Sequence, residues 1–161
     1  MVKVGGSTTA NILFGLVNPS GHQAETFPVN FADTPTGDSF SSTSLDIIYE
    51  EGIFVGYRFY DKYDIDVLFP FGHGLSYTTF EYKSIRIEKV ERDDSNDFIL
   101  LGSDTILTVL VDVVNTGNVA GKTVVQLYIS DLNSDVEKVV KELKEFEKVS
   151  LNPGEMKTIS F

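Results

Sequence analysis

The chain has 161 residues, 42% hydrophobic and 12% aromatic, with no cysteine and a net charge of −11 from 13 basic against 24 acidic residues. Such a composition builds a globular core rather than a disordered chain, and the length suits one or two small domains. It excludes a disulfide framework and thiolate metal sites, argues against a phosphate backbone as partner, and holds no apolar run near the roughly 20 residues that span a bilayer.

The N-terminal stretch MVKVGGSTTANILFG lacks the charged and long apolar regions of a signal peptide. The compartment stays open on that reading, with the cytoplasm slightly favoured. Residues 7–14 after Gly5-Gly6 read as a short helix, capped by Ser7 or Thr8 and ended by Gly15. Asn18-Pro19-Ser20-Gly21 is a turn, because Pro19 pre-sets φ and Gly21 tolerates a positive one. Residues 34–44, TPTGDSFSSTS, form a polar loop without a periodic face. Residues 52–60 read as a short strand, since Phe54, Tyr57 and Phe59 are β-formers.

From Phe80 the pattern becomes strand-like. Tyr82, Ile85 and Ile87 are separated by charged residues that can face water, and residues 91–96, ERDDSN, make a solvated turn. Residues 105–115, TILTVLVDVVN, are too rich in β-branched side chains to favour a helix. A turn at Asn115-Thr116-Gly117-Asn118 leads to the alternating run 123–130, TVVQLYIS. Residues 138–151 pass for an amphipathic helix on composition. Asn152-Pro153-Gly154-Glu155 turns the chain into a last strand at 156–161. Five or six strands with this turn spacing predict a β-sandwich, short of the about seven of an immunoglobulin-type one. An open sheet edge and self-association through it are expected to follow.

The segment YEEGIFVGYRFYDKYDIDVLFPFGHGLSYTTFEY, from Tyr49 to Tyr82, is the densest in chemistry. It closely resembles the part of family 3 glycoside hydrolases that joins their second domain to a fibronectin type III-like domain. NILFGLVNPSG with Thr26-Phe27-Pro28, VVNTGNVAGKTVVQLYIS and VKELKEFEKVSLNPGEMKTISF extend the resemblance over nearly the whole chain. Two departures stand out: Gln23-Ala24-Glu25 replaces a usual Leu-Pro pair, and Glu145 occupies a position where Gly is common. The resemblance implies a mainly β fold: the tail of an α/β sandwich domain over residues 1–79, then an incomplete fibronectin type III/immunoglobulin-like β-sandwich over 80–161. It favours strands over a helix for 138–151.

By the same resemblance the parent enzyme hydrolyses terminal β-glycosidic bonds with retention. Its nucleophile lies in an N-terminal barrel and its acid/base earlier in the second domain, so no catalytic residue is carried over to this chain. An upstream catalytic barrel, as a polypeptide or domain, is the implied partner, and a β-glycoside reaches the chain only through it. No cofactor and no metal site is expected. The alternative is a noncatalytic carbohydrate- or protein-binding module.

Four residues are the candidates for the vicinity of substrate: Glu51, Tyr57, Arg58 and His73. A retaining glycosidase needs two carboxyl groups about 5–5.5 Å apart. The adjacent Glu50 and Glu51 point to opposite faces of an extended chain, so Glu51 is expected instead to order the loop by pairing with Arg58. Tyr57 could stack on a pyranose and Arg58 could fork onto hydroxyls, although a structural tie is the simpler role for the arginine. His73, between Gly72 and Gly74, is expected to bond local backbone while both glycines take positive φ. Asp61, Asp64 and Asp66 have calcium-loop spacing but lack the glycine and glutamate that complete such a loop. The aromatics Phe59, Tyr60, Phe69, Phe71, Tyr77, Phe80 and Tyr82 are expected to form an interdomain core.

Overall fold

The computed structural model describes residues 5–37, 49–91 and 105–161. Two helices and seven strands are seen among them: α1 (Gly5–Leu13), β1 (Phe27–Pro28), α2 (Tyr57–Tyr63), β2 (Val67–Phe69), β3 (Phe80–Glu91), β4 (Thr105–Asn115), β5 (Gly121–Ile129), β6 (Glu142–Leu151) and β7 (Met156–Ser160). The fold is mainly β, as expected. The chain divides into two compact units. One comprises residues 1–19, 76–125 and 146–161, the other residues 20–75 and 126–145.

The first unit holds a three-stranded antiparallel sheet ordered β3-β4-β7. Its other sheet component comes from the pair β5-β6. Val111 and Val113 of β4 and Ile159 of β7 pack with Val125 of β5 and with Val149 and Leu151 of β6, and Phe80 and Phe161 close on this cluster. β-branched residues at every second position make β4 a strand with one face in the core. β6 obeys the same period of two where it is buried, at Val149 and Leu151, which is why its helix-like composition does not make a helix. The register of β3 against β4 shifts between Tyr82 and Ser84. That bulge absorbs one residue, so Tyr82, Ile85 and Ile87 lie opposite Val113, Val111 and Val109 on a single face despite their uneven spacing.

Asn115, fully buried at the end of β4, holds the first unit's loops together. Its side-chain amide donates to the carbonyls of Val119 and Leu151 at 2.8 and 3.1 Å, and its oxygen accepts from Thr78 Oγ1 at 2.6 Å and Gly117 N at 3.1 Å. Gly117 has no room for a side chain: a Cβ there would stand 2.2 Å from Thr78 Oγ1. The turn expected at Asn18–Gly21 is not formed: residues 18–21 make neither turn nor bend, and Gly21 has no positive φ. Asn18 accepts from Ser76 Oγ and Tyr77 N and donates to the Ala120 carbonyl, at 3.1, 2.9 and 3.0 Å. The expected N-terminal helix is present as α1, begun two residues earlier at Gly5 and followed by Gly15 at φ +70°.

In the second unit β1 and β2 form a two-stranded antiparallel ladder, with Phe27 edge-on to Phe69 at 6.2 Å. The strand expected at 52–60 is not formed. Gly52 and Gly56 adopt φ of +54° and +59°, which interrupts any extended run, and the chain enters α2 at Tyr57. Helical spacing then brings Phe59 and Tyr63 to a ring separation of 5.0 Å and buries Tyr60. Asp64 ends the helix in the left-handed conformation, φ +52°, its amide bonding the Tyr60 carbonyl. A 3₁₀ turn at Phe31–Asp33, which the sequence pattern does not suggest, is fixed by Asp33 Oδ2 accepting from the backbone and side-chain nitrogens of Asn30. Of the polar loop expected at 34–44, residues 34–37 are a turn and the rest lies outside the described residues, as does all but Glu91 of the turn expected at 91–96.

Candidate functional site

The four candidate residues belong to the second unit, where the Arg58 guanidinium lies 6.0 Å from the centre of the Tyr57 ring while Glu51 and His73 stand in other loops. Glu51 sits in the turn that Phe54 N closes onto the Glu51 carbonyl at 2.8 Å. Its Oε2 is buried without a hydrogen-bond partner among the described residues, beside a cavity of about 590 Å³ lined by Glu50, Phe54, Phe59, Tyr63 and Glu137. The expected ion pair between Glu51 and Arg58 is absent among the described residues. Arg58 instead lines a separate cavity of about 360 Å³ with Ile53, Ile129, Val139 and Glu142. There the Glu142 carboxyl is held below its usual range by a hydrogen bond from Lys144 and, less strongly, by the charge of Arg58. Gly52 and Gly56 turn the chain between the two residues, which reach different cavities.

Tyr57 opens α2 and is engaged on every side. Its ring lies 5.2 Å from Phe71 and edge-on to Tyr128 at 5.8 Å, and its hydroxyl accepts the Leu143 amide at 2.8 Å. It borders a third cavity, of about 400 Å³, with Asp61, Phe71, Gln126, Tyr128 and Lys141. Lys141 ties that cavity together, its ammonium 2.9 Å from Asp61 and 5.7 Å from the centre of the Tyr128 ring. Burial raises the Tyr128 phenol above its ordinary pKa, with smaller contributions from Tyr57 and Asp61. Nothing local marks Lys141 or Tyr128 in the sequence, because their partners lie far away along the chain.

His73 lines none of these cavities. Its ring stacks at 4.9 Å on Phe69, and its backbone donates to Pro70 and accepts from Gln23. Only Gly72 beside it has a positive φ, +82°. Gly74 is small for a different reason: a Cβ there would come within 2.7 Å of the Gly21 carbonyl, where His22 bridges to Gly74. The seven aromatics expected to form an interdomain core are divided between the two units. Phe59, Tyr60, Phe69 and Phe71 belong to the second unit, and Tyr77, Phe80 and Tyr82 to the first.

Glu51, Tyr57, Arg58 and His73 therefore do not converge on one point, although Glu51 shares its cavity with the carboxylates of Glu50 and Glu137. Asp61, Asp64 and Asp66 do not make a cation loop. Asp61 is paired with Lys141, Asp64 caps α2, and no group of three metal-ligating residues occurs among the described residues. The arrangement suits holding polypeptide segments together.

Two family models match the chain. The glycosyl hydrolase family 3 C-terminal domain covers residues 3–77, and a fibronectin type III-like domain covers residues 123–161. The thermostable beta-glucosidase B of Acetivibrio thermocellus is 50% identical over 156 residues, which are 97% of this chain and 20% of that protein. Among solved structures, a beta-glucosidase from Kluyveromyces marxianus in complex with glucose shares 44% identity at a TM-score of 0.81, over 97% of this chain and 17% of its own. Beta-glucosidase 3B from Thermotoga neapolitana in complex with glucose shares 35% at 0.83, over 99% and 21%. The chain spans about a fifth of the length of the relatives it matches.

Proposed function

The chain belongs to glycoside hydrolase family 3, whose C-terminal domain and fibronectin type III-like domain it carries, and from that premise we propose that it works as the C-terminal part of a β-glucosidase. In this reading residues 1–79 are the tail of the second domain and residues 80–161 the fibronectin type III-like domain. The hydrolysis of a terminal β-glucosidic bond, with retention, is performed by a catalytic barrel upstream of them. This chain braces that barrel and shapes the edge of its cleft.

The observation that carries the reading is the likeness over nearly the whole chain to beta-glucosidases about five times its length, combined with candidate residues spent on folding contacts. A retaining mechanism demands two facing carboxyl groups; Glu51 shares a cavity with Glu50 and Glu137, and the test decides whether any of them acts on a sugar. The test is hydrolysis of a chromogenic aryl β-glucoside by the purified chain, alone and mixed with a family 3 barrel polypeptide that lacks this region. No turnover alone and turnover on mixing is the expected result. Turnover by the 161 residues alone, abolished in Glu51→Gln, would overturn the reading by placing a catalytic carboxylate where a structural one is assigned.

A further inference from the structure

The chain between β5 and β6 is held without backbone pairing: residues 130–141 make no backbone–backbone hydrogen bond among the described residues. Most of the stretch is exposed, and Val139 is its one buried residue. What fixes it to α2 is side chains, all of them within the second unit. Lys62 Nζ lies 2.8 Å from Glu137 Oε1, and Lys141 Nζ lies 2.9 Å from Asp61 Oδ2. The Lys141 ammonium also stands 5.7 Å from the centre of the Tyr128 ring. Just past the stretch, the Leu143 amide donates to the Tyr57 hydroxyl at 2.8 Å. Tyr57 and Asp61, four residues apart, share one face of α2, and Lys62 follows Asp61. The stretch also walls two cavities. Val140 and Lys141 border the one that Tyr57 lines, and Asp131, Lys138 and Val139 the one that Arg58 lines.

We propose that residues 130–141 are a strap that lifts off α2 as a unit while the sheet β3-β4-β7 stays folded, opening both cavities and freeing Tyr57 and Arg58. The two kinds of attachment differ in strength. β4 is paired along both edges and places Val111 and Val113 in the core, so its amides open only with the sheet. The strap has no ladder to lose. Exposed ion pairs and a single hydrogen bond are individually weak in net terms, so lifting the strap costs a fraction of what unfolding costs. The strap also crosses a family boundary. α2 lies within the part matched as the glycosyl hydrolase family 3 C-terminal domain, and the strap within the part matched as fibronectin type III-like. Two surface charge pairs therefore set how firmly those two parts hold each other at α2, whatever the chain's role in glycoside hydrolysis.

Amide hydrogen exchange, followed residue by residue by NMR on the full chain, reads the strap through Leu143, with the amides of β4 as reference. Leu143 is expected to exchange at least about tenfold faster than the β4 amides. Glu137→Lys sets two ammonium groups against each other at Lys62, and is expected to speed Leu143 at least about threefold while leaving β4 unchanged. Lys62→Glu/Glu137→Lys restores the pair with its signs exchanged and is expected to return Leu143 to the parent rate, which a packing defect would not do. Glu81→Lys makes the same change of net charge at the Lys83–Glu81 pair on β3 and is expected to leave Leu143 as in the parent. Asp61→Asn, close to the parent residue in shape, carries the same test at the Lys141 pair. Leu143 exchanging in step with β4 in every variant would overturn the proposal. So would a Leu143 rate indifferent to Glu137→Lys and Asp61→Asn, moved equally by Glu81→Lys, or left fast in the exchanged pair.

Discussion

At the scale of single residues, stability concentrates in a few polar side chains that have no slack. Asn115 is the clearest case, with no exposed surface and four side-chain hydrogen bonds that join β4, the following turn and the end of β6. Asn115→Ala strands buried partners on three segments. It is expected to cost about 2–4 kcal/mol, because an unsatisfied buried group costs about 1–3 kcal/mol and more than one is created. The urea midpoint measures this, and an unchanged midpoint would mean that water replaces the amide. Asp112 supplies the pH dependence. Its carboxylate accepts from Arg86, Ser84 and Thr158, and these bonds, led by Arg86, hold its pKa far below the ordinary aspartate value of about 3.9. A depressed folded-state pKa means that the unfolded chain takes up the proton first, so the stabilisation is complete above about pH 5 and drains away as pH falls through 4 toward 2. Asp112→Asn is expected to melt below the parent at pH 7, with the gap in Tm narrowing as pH falls below about 4. A gap that stays constant with pH would remove Asp112 from the account.

At the scale of elements, the sequence is legible where one face meets a core and misleading where it meets a local cluster. β4, β5 and β7 can be read from the residues because alternation survives when one side of a strand is buried. α2 cannot, since Phe54, Tyr57 and Phe59 favour strands and the decisive signal is Gly56, whose φ of +59° turns the chain before the helix. The difference reaches the candidate site: Glu51 stays in the turn before the helix while Arg58 lies in its first turn, and the two line different cavities. Tyr57 shows what the element does instead, its hydroxyl carrying the Leu143 amide at the start of β6. Tyr57→Phe keeps both ring contacts and loses only that bond. Its expected cost is about 1 kcal/mol in chemical unfolding, the ordinary net worth of one hydrogen bond. A much larger loss would show that the hydroxyl serves more than β6.

At the scale of the whole molecule, the motifs that carry the family likeness are spent by the fold on its own cohesion, so family and local chemistry point to different places. The charge of −11 adds a constraint that no single element reveals. Like charges of that excess repel across the folded surface and weaken the compact state, while exposed pairs such as Lys62–Glu137 act in the other direction. Salt separates the two, because the screening length shrinks from about 30 Å at 0.01 M to about 10 Å at 0.1 M. If net repulsion dominates, raising salt from about 0.02 to 0.2 M raises the Tm; if the ion pairs dominate, the same change lowers it. The first outcome is expected, since exposed ion pairs contribute at most about 1 kcal/mol each and the acidic excess acts over the whole surface.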